Sequence, residues 1–336
     1  MKLQRVIPTV AVVAATAVGA APPASAATTD VQQAASANWA GYVVGGSSDG
    51  ASPQFSNVSG SWVQPSVKCT AGQSYSAFWV GLGGSGEQSG SLEQVGTEAD
   101  CTSTGAAEDF VWYELVPAAP VRLDLAIHPG DHVSAKVTVN GTQVVVALSD
   151  QTTGGSVTKT LPMSDPDTSS AEWIAEAPST CDQESNCQPL PLTDFGDVNF
   201  SAASATAGGH TGTISDSNWT PAAVQLNGSS DNDGIGGASF TSDQSAAGAR
   251  PSALSSDGST FSVAWSASAD QTSAVGTGSG GSVASPGQGT SGSGYGYGGD
   301  GSGYGGYGSG YGSGYGGYGG GYGSGSGGYG DGGYYG

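Results

Sequence analysis

Carboxylates and amides are the chemistry this sequence has to offer. The segment Ala171-Glu172-Trp173-Ile174-Ala175-Glu176-Ala177-Pro178 reads as a strand, because Trp and Ile favour extended backbone and Pro178 stops it. Period-two geometry then sets Glu172, Ile174 and Glu176 on one face and Trp173 on the other. Such acids could work as a pair on a glycosidic bond, with Glu114 as a further partner. Alternatively, one of them could exchange protons with water during attack on a carbonyl. With no basic residue nearby, an isolated strand of this pattern reads as solvated surface. Gln94, in Leu92-Glu93-Gln94-Val95-Gly96, reads on its own as a surface amide.

Other chemistries find little support. There are three histidines. His128 and His132 are separated by Pro129-Gly130, which forces a turn and removes the helical spacing of a metal pair. His210 follows Gly208-Gly209 and reads as a loop residue, so a serine or cysteine triad has only weak candidates for its base. No Asp-Thr-Gly or Asp-Ser-Gly occurs. Asp231-Asn232-Asp233-Gly234 lacks the rest of a calcium loop and reads as a plain turn. The four cysteines, Cys69, Cys101, Cys181 and Cys187, have no C-x-x-C spacing, which argues against zinc. Two disulfides are expected instead; a short loop favours Cys181–Cys187, leaving Cys69–Cys101. No cofactor is implied.

Seven Lys or Arg stand against 28 Asp or Glu, for a net charge of −21. That balance disfavours nucleic acid as a partner. It suits acid service, where most carboxylates are neutral and few bases remain to repel one another. Residues 1–26 have a charged head, an apolar run and Ala24-Ser25-Ala26 before Ala27, the layout of a secretory signal. A secreted, extracellular product without a membrane anchor is expected.

The elements that must position the acids read as strands throughout. Val121, Leu123, Leu125 and Ile127 alternate with polar residues, as do Val133, Ala135, Val137 and Val139 after the turn at 128–131. Further strands are expected at 39–44, 58–64, 76–82, 91–96, 110–116, 143–148, 171–176, 194–200, 222–227 and 260–265. Short strands between Gly, Pro, Asn and Asp turns predict an all-β antiparallel sandwich or barrel. A linker at 27–36 should precede a single domain at 37–268. From 269 to 336 the composition collapses to Gly, Ser and Tyr, a low-complexity tail expected to stay disordered. Its tyrosines could stack on polysaccharide or cell-wall material.

Six motifs in order resemble the glutamic peptidases, or eqolisins: Asn38-Trp39-Ala40-Gly41-Tyr42, Phe78-Trp79-Val80-Gly81-Leu82, Leu92-Glu93-Gln94-Val95-Gly96, Trp112-Tyr113-Glu114, Ala171-Glu172-Trp173-Ile174-Ala175-Glu176 and Phe195-Gly196-Asp197-Val198. The resemblance implies a two-sheet antiparallel β-sandwich like a lectin jelly roll, with a groove across its concave sheet. It implies a secreted, acid-active endopeptidase acting on protein or peptide substrates, with Gln94 and Glu176 as catalytic pair. Trp39, Trp112, Glu114 and Glu172 fall at substrate-binding positions. On that reading Glu176 takes a proton from water and returns it to the leaving amine, while Gln94 orients the water and donates to the oxyanion. A non-catalytic sugar- or wall-binding module and a glycosidase with paired glutamates are the alternatives.

Overall fold

The computed structural model describes residues 31–46, 53–70, 72–85, 89–181, 186–227, 239–240 and 247–268. The signal segment, the Asp231–Gly234 turn and the Gly/Ser/Tyr tail lie outside the described residues. In chain order the strands are β1 Gln32–Ser36, β2 Trp39–Gly45, β3 Phe55–Val63, β4 Ala77–Gly83, β5 Leu92–Cys101, β6 Ala107–Val116 and β7 Val121–Leu123. Then follow β8 His132–Asn140, β9 Gln143–Asp150, β10 Ser156–Pro162, β11 Ser170–Glu176, β12 Ser179–Cys181 and β13 Asn186–Pro189. The last are β14 Asp197–Ala207, β15 His210–Gly212, β16 Thr220–Leu226, β17 Ser239–Phe240, β18 Gly248–Pro251 and β19 Phe261–Ser266.

Hydrogen bonding links most of them in the order β10-β9-β8-β3-β14-β19-β18-β16-β2-β11-β4-β5-β6-β7. The ribbon folds over itself, because β3 and β8 pack against β4, and β8 and β9 against β5. Two antiparallel sheets result, as the alternation of hydrophobic residues requires. Val133, Ala135, Val137 and Val139 of β8 and Val144, Val146 and Leu148 of β9 are all buried against the facing layer. From that layer Phe78, Val80, Leu82, Val95, Ala171, Trp173 and Ala175 point inward.

Trp173 fixes β11. Its Nε1 donates across the sandwich to the Ser59 carbonyl at 2.8 Å. A Cβ on Gly60 would lie 2.8 Å from Trp173 Cδ1, so only glycine leaves room for the indole. A second cross-layer bond runs from Trp62 Nε1 to Thr97 Oγ1 at 3.0 Å and secures β5. At the end of β5, Cys101 is bonded to Cys69, the first of the expected disulfides. Cys181 and Cys187 stand directly opposite each other in the β12–β13 register.

Two expectations change. Residues 32–36 are not linker: they form β1, parallel to β16 from Gln32↔Ala222 to Ser36↔Leu226. Their polar sequence gives no strand pattern because their backbone bonds, more than their side chains, tie them in. The strand begun at Val121 ends at Leu123, where Leu125 N turns back to the Leu123 carbonyl at 3.0 Å. Val121, expected inward, is exposed, while Ile127 is buried beyond the bend.

Candidate active site

The sheet's other face carries the site. Strands β2, β11, β4, β5 and β6 pair in register, so their residues form rows across the sheet. One row runs Trp39, Glu176, Ala77, Glu98, Phe110. The next runs Gly41, Ile174, Trp79, Gly96, Trp112 and ends on Arg122 of β7. The third runs Val43, Glu172, Gly81, Gln94, Glu114. Every sequence-predicted site residue therefore shares one face, because paired positions present side chains on the same side.

That face is not the solvated surface expected of an isolated strand. A second apolar cluster, including Trp39, Trp79, Trp112, Ile174 and Val224, encloses it. Gln94 and Glu172 are fully buried, and Glu176 and Glu114 are 2% exposed. Single-strand reasoning misses this because the covering residues come from other strands.

Glu176 is held at both oxygens. Asn38 Nδ2 donates to Oε1 at 2.9 Å and Trp79 Nε1 to Oε2 at 2.7 Å. Burial outweighs these bonds and that of Trp39, and pushes the carboxyl up to about 7. Asn38 is itself tied to β1, since Ser36 Oγ donates to its Oδ1 at 3.3 Å. Asn38 and Trp79 were visible within the motifs but were given no role by sequence reasoning.

Gln94 is held separately: its Nε2 donates to Glu114 Oε2 at 2.8 Å. Gln94 and Glu176 make no direct hydrogen bond, being two strands and two rows apart. The Trp79 indole lies between them. Its Nε1 is on Glu176, and its Cζ3 is 2.9 Å from where a Cβ on Gly81 would sit, beside Gln94. Trp39 meets Trp79 edge-on with ring centroids 5.0 Å apart. Glu172 has no hydrogen-bond partner at either oxygen, and burial leads its carboxyl well above the usual range. Among the described residues no group of three or more His, Cys, Asp or Glu could hold a metal ion.

A model of the Peptidase A4 family matches residues 37–244. The chain belongs to that family. All six motifs of the glutamic-peptidase resemblance fall inside the match. Aspergillopepsin-2 of Aspergillus niger is 33% identical over 204 residues, which are 52% of this chain and 66% of that protein. The match thus spans just under two thirds of this relative. Scytalido-glutamic peptidase with a transition state analog inhibitor has the same fold at a TM-score of 0.53 and 23% identity, over 68% of this chain and 98% of the other. A second structure of it, with a peptide-based analog, gives 0.52 and 24% over the same shares. The Peptidase A4 fold is therefore the two-sheet sandwich described above. Among the described residues no helix is long and apolar enough to cross a membrane.

Proposed function

We propose that the chain is a secreted, acid-active endopeptidase in which Glu176 moves protons and Gln94 positions water and the developing oxyanion. The observation that carries this reading is the pair of separately braced groups on one enclosed face. One is a carboxyl held by Asn38 and Trp79, the other an amide held by Glu114. Outside the family match, two observations weigh against the rivals. Six of the seven tryptophans are buried, so among the described residues few indole faces remain for sugars. The Cα atoms of Glu172 and Glu176 are about 13 Å apart on β11, and Glu114 is engaged by Gln94, an arrangement that favours neither glutamate pairing for a sugar.

The order of proton transfers differs from the one expected of an ordinary carboxylate. With its carboxyl at about 7, Glu176 is protonated in acid and acts first as an acid. It gives its proton to the carbonyl oxygen as water attacks the carbon. It next recovers a proton from the added water and passes it to the leaving nitrogen. Collapse of the intermediate breaks the C–N bond, and the proton lost from the new acid restores Glu176. Gln94 has one N–H committed to Glu114, which leaves the other N–H for the substrate carbonyl oxygen while it gathers charge, before the proton from Glu176 arrives, and its own carbonyl oxygen for water. Activity should therefore fall as pH rises through about 7, where Glu176 loses its proton.

The test is cleavage of a denatured protein and of a quenched peptide at pH 3–5 by the wild type, Glu176→Gln and Gln94→Leu. Truncation to Ala is less informative, because it would strand buried donors at Asn38 and Trp79. Each variant is expected to lose about 10²-fold or more in kcat while remaining folded. Turnover within about tenfold of wild type in either folded variant would remove that residue from the mechanism.

A further inference from the structure

The third row of the site holds Glu114, Gln94, Gly81 and Glu172 on four successive strands. Gln94 and Glu172 thus flank Gly81, and the space that a side chain there would take is bordered by Trp79 Cζ3 and Leu92 Cδ1. Two strand spacings separate them, about 10 Å between Cα atoms. They make no direct hydrogen bond, and a separation of this size suits one bridging water between the two side-chain ends.

The amide of Gln94 is committed at one end only. Its Nε2 donates toward β6, to Glu114. Its Oε1 is therefore turned toward β4 and β11, where it is buried without a partner. Glu172 approaches from that side, fully buried, with neither oxygen hydrogen-bonded. The Ser170 hydroxyl is near it but not in hydrogen-bond geometry. Polar groups buried this way destabilise a fold, and a leucine beside Val43 and Leu92 would suit the apolar surroundings better. Burial also favours the neutral form of Glu172. Burial dominates, the nearby Ser170 hydroxyl opposes it, and the Asp167 carboxylate reinforces it.

We infer that Glu172 is a positioning residue: its carboxyl O–H is donated through one water to Gln94 Oε1 across Gly81. A side-chain amide can turn over, exchanging its carbonyl for its amino group. Glu114, an acceptor on one side, selects the amino group there. Glu172, a donor on the other, selects the carbonyl there. Between them they fix which end of Gln94 meets water and which meets the oxyanion. This rests on Gln94 being the amide of the active site.

The experiment compares Glu172→Gln, a neutral donor of the same length, with Glu172→Leu, which has similar volume and no donor. At pH 4 the Leu variant should unfold at or above the wild-type temperature, yet turn over a reference peptide with a kcat lower by about tenfold or more. Its KM should change little. The Gln variant should recover kcat to within about threefold of wild type. In ¹H–¹⁵N spectra, the Gln94 side-chain amide should give two resolved, slowly exchanging protons in wild type and Glu172→Gln. In Glu172→Leu that protection should be lost. The inference is overturned if the Leu variant keeps both wild-type kcat and the protected amide, or if Gln falls as far as Leu. A wild type that cleaves no peptide would sink the proposed function, while the amide spectra would still decide this inference.

Discussion

Glu93 offers the sharpest test of acid adaptation. It lies on β5 between Leu82 of β4 and Leu115 of β6, on the face opposite Gln94, and is completely buried. Its Oε1 accepts from Asp167 N at 3.1 Å, and its Oε2 has no partner. Burial raises the carboxyl from 4.5 to about 9 despite that bond. The folded state therefore keeps a proton that the unfolded chain releases. Stability from this group is complete below pH 4.5 and falls as pH climbs toward 9, at about 1.4 kcal/mol per unit. By pH 7 the loss is about 3 kcal/mol, and Glu176 adds a comparable amount over the same interval. Together they rival the whole stability of an ordinary domain, about 5–15 kcal/mol. Glu93→Gln keeps a carbonyl for Asp167 N and removes the titration. Urea unfolding should show it close to wild type at pH 3.5 and more stable by about 3 kcal/mol at pH 7. If the variant loses as much stability as wild type between those pH values, Glu93 is not the protonated group the geometry makes it.

Two further outcomes are expected. Trp79→Phe removes a hydrogen bond that favours ionised Glu176, so the fall in kcat/KM should move to higher pH than in wild type; an unmoved or lowered inflection would contradict the assignment. Gly60→Ala forces a methyl into Trp173 and should cost about 1–3 kcal/mol by denaturant titration, and an unchanged midpoint would show the indole is free to shift.

The strands of the outer layer were legible because one face is wet and one dry, as in β8, whose residues alternate between buried and more exposed. The strands beneath the site were legible as elements but not as surfaces. Every residue of β4 and β11 is buried, since apolar clusters lie on both sides. That is why Glu172 and Glu176 looked like surface acids. Gln94 has no physical signature in one dimension: an amide in a strand is ordinary, and only motif order singled it out. Its importance arises from Glu114 and Gly81, brought alongside by register. Glu93 escaped notice for the same reason, its neighbours Leu82 and Leu115 being remote in sequence.

The indole of Trp173 has a bearing on errors of assembly. It is clamped between Gly60 and the Ser59 carbonyl, and on the same strand it alternates with Glu172, Ile174 and Glu176. If β11 slid by a single residue against its neighbours, the tryptophan would leave its slot and two carboxyls would be thrust into the hydrocarbon interior. Such a slip would be rejected by the packing before it could become a long-lived folded species. A molecule of this protein that has closed its core has, by the same event, placed its acids on the working face. Misaligned but compact copies should therefore be scarce among folded molecules.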